Sequence, residues 1–160
     1  MRTAEKTRLI VCMGAALLAG CVYHRRVPFS ETECAHYRQD GTASVHGDVF
    51  LKTMAGDVKY GAGNAVYLYP ATAYVQEWFQ HDIILVEPVV PDPDPRLAGC
   101  RRETVADGQG RFRFERLPAG QYVVTCGIHW LMSNGRTTGG IAYTTVRVED
   151  GQKVKVVVSR

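Results

Sequence analysis

From Val45 onward the chain alternates short runs of apolar and β-forming residues with turn signals. Val45-His46-Gly47-Asp48-Val49-Phe50-Leu51-Lys52 is followed by turns at Gly56-Asp57 and Gly61-Ala62-Gly63-Asn64. Ala65-Val66-Tyr67-Leu68-Tyr69 sets Val66 and Leu68 against Tyr67 and Tyr69, and Pro70 curtails it. The cleanest alternation is Arg111-Phe112-Arg113-Phe114-Glu115-Arg116, with phenylalanines inward and charges outward. Leu117-Pro118-Ala119-Gly120 then turns the chain into residues 121–130, where Tyr122, Val124 and Ile128 share a face and Cys126 lies in phase with them. Further strands are expected at 101–106, 141–148 and 153–158. The last two would form a hairpin across Asp150-Gly151, with Val154, Val156 and Val158 inward.

About seven strands, frequent turns and no long amphipathic helix predict an all-β, antiparallel β-sandwich. Its expected core includes Phe50, Val66, Leu68, Phe112, Phe114, Leu117, Tyr122, Val124, Val146 and Val156. At about 1.5–3 kcal/mol for each large buried side chain, that core needs no obligatory disulfide. An insertion at 71–99 interrupts the strands. Tyr74, Trp78 and Phe79, with Gln76 and Glu77, could form one or two helical turns that pack aromatics against a sheet edge. Glu87 to Pro95 holds four prolines, which remove donors and fix φ, so an extended surface loop is expected there.

The N-terminus has a different pattern. Arg2, Lys6 and Arg8 precede an apolar run from Leu9 to Leu18. That is about ten residues, half of the ~20 a spanning helix needs, so the run reads as a signal and not as a permanent anchor. It ends in Leu18-Ala19-Gly20-Cys21, which resembles the lipobox of bacterial lipoproteins. The resemblance implies cleavage between Gly20 and Cys21, a thioether diacylglycerol on Cys21 and acylation of its freed amine; several acyl chains make attachment durable. Val22 is not the Asp that retains such proteins at the inner membrane. The expected address is therefore the outer membrane, facing the periplasm, in a Gram-negative host. The chain then divides into a signal (1–20), a lipidated tether without sustained period (21–44) and one domain (45–160).

Of the net charge of +3, the signal segment accounts for two through Arg2, Lys6 and Arg8 against Glu5. The remainder is nearly neutral, which gives no footprint for nucleic acid. An exported compartment permits disulfides, and three cysteines lie beyond Cys21. Cys34–Cys100 would pin the tether; Cys100–Cys126 and no disulfide at all stay open as alternatives.

The order of motifs carries a second resemblance. Val45-His46-Gly47-Asp48-Val49 and Ala65-Val66-Tyr67-Leu68 are followed by Asp107-Gly108-Gln109-Gly110-Arg111-Phe112-Arg113-Phe114 and Leu117-Pro118-Ala119-Gly120-Gln121-Tyr122. Together these resemble the carboxypeptidase regulatory-like domain, which implies a transthyretin-like sandwich over most of 45–160. They imply no particular activity.

No catalytic constellation is legible. Cys126 and His129 are three apart on a strand and so face opposite sides; His81-Asp82 and Asp92 with Asp94 lack companion metal ligands. No cofactor or metal is expected. Arg101, Arg102, Arg111, Arg113 and Arg116 would fall on neighbouring strands as a charged face, and Tyr67, Tyr69, Tyr74, Trp78 and Phe79 could line an aromatic binding surface. The expected function is a non-enzymatic, lipid-anchored binding or structural module of the envelope. Its partners would be the membrane, through the N-terminal lipid, and an envelope protein or glycan. An accessory role in a secretion or polysaccharide-export assembly and an envelope enzyme with an unrecognised site are the alternatives.

Overall fold

The computed structural model describes residues 24–87 and 89–160. Residues 1–20, with the Gly20–Cys21 cleavage site and the lipid attachment residue Cys21, lie outside the described residues.

Two four-stranded sheets pack face to face as a β-sandwich. In the first, β2 (Ala43–Lys52) is central. It pairs with β10 (Lys153–Val158) along one edge; along the other it pairs first with β7 (Arg111–Leu117) and then with the short β3 (Val58–Tyr60). The second runs β6 (Arg102–Val105), β4 (Ala65–Pro70), β8 (Gly120–Leu131) and β9 (Thr137–Val148), all antiparallel. The inner faces meet through Val45, Val49 and Leu51 of β2, Val66 and Leu68 of β4, Phe112 and Phe114 of β7, and Tyr122, Val124, Cys126 and Ile128 of β8.

Two expectations change. The last two strands form no hairpin: β10 leaves β9 and runs parallel to β2, so the first sheet is mixed. The Asp150-Gly151 turn forms, with Gly151 at φ 71° donating its N–H to Thr42 Oγ1 at 2.8 Å, but it carries the chain across to the other sheet. There Val158 is buried and Val154 and Val156 pack on the same core. Phe50 is not a core residue. The alternation of β2 puts Val45, Val49 and Leu51 inward, so Phe50 faces outward and packs edge-on against Tyr60, with ring centroids 6.4 Å apart.

The stretch expected as a tether is structured from residue 24. β1 (His24–Arg25) pairs in parallel with β5 (Val89–Val90) of the insertion. α1 (Glu31–Tyr37) starts at Ser30, whose side chain accepts from the Glu33 N–H. Seven residues are too few to display a helical period, which is why the sequence pattern is silent there. Cys34 of α1 and Cys100 are joined as a disulfide across 66 residues, with Cα atoms 5.7 Å apart.

Candidate functional site

The second sheet has two unlike faces because strand side chains alternate. In β4, Val66 and Leu68 enter the sandwich while Tyr67 and Tyr69 point away from it. In β8 the same parity turns Val123, Thr125, Gly127 and His129 outward, and Ile141 and Tyr143 of β9 join them. This aromatic outer face is partly roofed by the 71–99 insertion.

The roof is a short helix, α2 (Ala73–Trp78), running into a π-helical segment, Phe79–Leu85. Thr72 caps α2 by accepting from the Val75 N–H at 3.2 Å. Tyr74, Val75 and Phe79 bury against Tyr69, Val123 and Leu97, forming a second apolar cluster outside the sandwich. The insertion therefore covers a sheet face rather than an edge. Leu97 comes from a 3₁₀ turn, Pro95–Cys100, in which Asp94 accepts from the Arg96 N–H and guanidinium. The hydrogen bond from Arg96 holds the Asp94 carboxyl below its ordinary value. Asp94 is thus committed to a structural cap.

Where the roof stops, a cleft of about 290 Å³ remains. Its walls are Tyr67, Tyr69, Trp78, Phe79 and Ile83; its floor is Thr125, Gly127, His129 and Ile141. Tyr69 and Trp78 lie 5.0 Å apart centroid to centroid, Phe79 meets Tyr143 edge-on at 5.0 Å, and Arg101 lies 4.2 Å over the Tyr67 ring. The Arg101 guanidinium also donates to the Tyr69 hydroxyl at 3.3 Å, holding both tyrosines in place. Gly127 keeps the floor low: a Cβ there would meet only the His129 ring, at 3.6 Å. No carboxylate lines the cleft. The arrangement offers aromatic surface and the polar side chains of Thr125 and His129, with no charged Asp, Glu, Lys or Arg among the lining residues, which suits an uncharged ligand with one apolar face.

The aromatics singled out in the sequence divide between roles. Tyr74 is buried, packs edge-on with Phe29 at 5.3 Å and accepts from the Asp94 N–H at 2.6 Å, so it belongs to the roof's packing and presents no surface. Phe79 is largely buried, whereas Trp78 is half-buried. The floor residues carry a weak sequence signal: Thr125, Gly127 and His129 are marked only by alternating with the inward Val124, Cys126 and Ile128 of β8. The arginines do not share a face. Arg102 is on the second sheet, Arg111 and Arg113 are on the first, and Arg101 is engaged by the tyrosines.

Chemistry elsewhere is quiet. Cys126 faces inward and His129 outward, and burial pushes the Cys126 thiol up to about 11, away from any thiolate role. His81 pairs with Glu87 at 2.6 Å. Among the described residues no group of three His, Cys, Asp or Glu side chains could hold a metal, and no helix is long and apolar enough to cross a membrane.

No protein-family model and no curated protein sequence matches the chain. Among solved structures, a candidate carbohydrate-binding protein of Pseudomonas aeruginosa, PA1324, is 30% identical over 84% of this chain and 99% of its own, with a TM-score of 0.70. The major pilin subunit of Bacillus cereus is 14% identical over 74% of this chain and 29% of its own, with a TM-score of 0.43. Chlorocatechol 1,2-dioxygenase from Pseudomonas putida is 13% identical over 92% and 70%, with a TM-score of 0.30. The last two likenesses are too slight to bear on this chain.

Proposed function

Because this chain belongs to the family of the Pseudomonas aeruginosa protein, we propose that it is a lipid-anchored, non-enzymatic module of the bacterial envelope that binds carbohydrate in the aromatic cleft. The observation that carries the reading is the combination of Tyr67, Tyr69 and Trp78 with a low glycine floor and the Thr125 and His129 side chains. A pyranose has an apolar C–H face and a hydroxyl edge. The face stacks on an aromatic ring, and the edge finds donors and acceptors beside it. The cleft volume lies at the low end of small-molecule sites, which run from ~300 to ~1,000 Å³, so one sugar ring of a longer glycan would be seated and its neighbours would run over the surface. Anchoring rests on Leu18-Ala19-Gly20-Cys21. The likeness to carboxypeptidase regulatory-like domains describes the scaffold; the insertion supplies the site.

Calorimetric titration with a panel of neutral oligosaccharides tests the cleft. Gly127→Leu should fill the floor and abolish binding while the melting temperature stays within a few degrees of the parent. Trp78→Ala should weaken binding roughly tenfold or more, given about 1.4 kcal/mol per decade. Full sugar affinity in Gly127→Leu would refute the site. Separately, Cys21→Ser should abolish lipid labelling and release the protein from membranes; unchanged attachment would refute the anchor.

A further inference from the structure

Two hairpin tips meet at one end of the sandwich, around a cleft of about 550 Å³. The first is the β2–β3 turn at 53–57, closed by the Thr53 N–H donating to the Asp57 carbonyl at 2.8 Å. The second is the β8–β9 turn, closed by the Met132 N–H donating to the Arg136 carbonyl at 2.8 Å. Their apolar side chains point into solvent: Met54 is fully exposed, Leu131 is 70% exposed and Met132 is 45% exposed. Val58, directly across the ladder from Lys52, is exposed as well. Lys52 and Lys59 line the same cleft, Arg136 closes the second turn, and Asp57 is the acidic side chain lining it. Behind the tips, Trp130 is half-buried against the main core.

From this arrangement we infer that the two tips are a docking surface for an anionic membrane. Apolar side chains left in solvent are the ones an acyl boundary accepts, and a cationic surround matches acidic headgroups. The inference needs no lipid on Cys21.

The chain holds two tryptophans, Trp78 and Trp130, so Trp78→Phe leaves Trp130 as the sole reporter. The full chain, purified from membranes, is mixed with vesicles carrying brominated acyl chains, either phosphatidylcholine alone or phosphatidylcholine with phosphatidylglycerol. Trp130 emission should be quenched on the phosphatidylglycerol vesicles and much less on the neutral ones. Quenching should vanish in Met54→Asp/Leu131→Asp/Met132→Asp and be reduced in Lys52→Gln/Lys59→Gln/Arg136→Gln, with near-ultraviolet circular dichroism unchanged. If the aspartate variant loses that signature, the glutamine variant decides alone. Vesicle flotation without Trp130 quenching would overturn the docking surface while leaving an N-terminal anchor intact. Equal quenching on both vesicle types would overturn the anionic preference. A concentration-dependent shift of Trp130 emission without vesicles would assign the tips to contact between copies instead.

Discussion

Tyr122 donates from its hydroxyl to the Pro118 carbonyl at 2.8 Å, four residues back, inside the sandwich. That bond ties the start of β8 to the turn before it and accounts for the Leu-Pro-x-Gly-x-Tyr order. Leu117 plugs the core, Pro118 supplies the acceptor, and a Cβ on Gly120 would stand 2.6 Å from the Tyr37 ring. Burial pushes the Tyr122 hydroxyl well above its usual range, so it stays a donor. Tyr122→Phe would leave a buried carbonyl unpaired and should cost about 1–2 kcal/mol, read as a lower denaturant midpoint at unchanged slope. Asp107 works similarly at the preceding turn: its carboxylate accepts from the Arg111 and Gln109 N–H groups, both at 2.9 Å. Those backbone bonds, Arg111's first, depress its pKa below the ordinary 3.8. A group depressed in the folded state contributes stability above its unfolded value and loses it as pH falls through the folded one. Melting temperatures from pH 7 down to pH 2 should therefore decline less steeply in Asp107→Asn than in the parent.

At the scale of elements, the insertion is held by contacts that come from outside it. The Arg26 guanidinium, 3% exposed, donates to both Asp82 carboxylate oxygens at 3.1 and 2.9 Å and to the Pro91 carbonyl at 2.8 Å. Removing one member of a buried pair strands the other, so Arg26→Ala should cost about 3–5 kcal/mol. Hydrogen exchange should show the loss first in 73–85, before the sandwich strands respond. These contacts also mark where sequence reading stops. The alternations of β4, β7 and β10 were legible because each carries two or three large residues at period two. The parity of β2 is not legible at Phe50, because Val49, Phe50 and Leu51 are consecutive and apolar and only Val45 and the partner strands fix which of them faces inward. The route of β10 was hidden for another reason: a tight turn specifies reversal, not which sheet receives the returning chain. The cleft was half legible. Its aromatic walls stood out by composition, whereas Thr125, Gly127 and His129 matter only once the roof is known to lie over their face.

For the whole molecule, the sandwich is the platform and the 24–37 and 71–100 segments form a layer strapped to one side of it. The Cys34–Cys100 disulfide closes a loop of 66 residues. In a chain-entropy account, opening such a loop costs about 4 kcal/mol. Reduction with a phosphine should lower the melting temperature markedly and weaken the proposed sugar site together with it. The straps hold Trp78 and Phe79 over a floor that the sandwich alone provides. The proposed membrane tips lie only two residues along β8 from His129. A glycan seated in the cleft would accordingly sit beside the bilayer surface rather than far from it.

The inward placement of Cys126 has a consequence for the order in which the protein matures. Cys126 is the free cysteine among the described residues, and it is wholly buried. An oxidising compartment that forms the Cys34–Cys100 bond acts on any accessible thiol. Cys126 can compete for either partner only while β8 is still exposed. Closure of the two sheets ahead of the disulfide would withdraw the odd thiol before the straps are sealed. Variants that delay sandwich closure should lose yield to mispaired chains even where the finished fold is as stable as the parent.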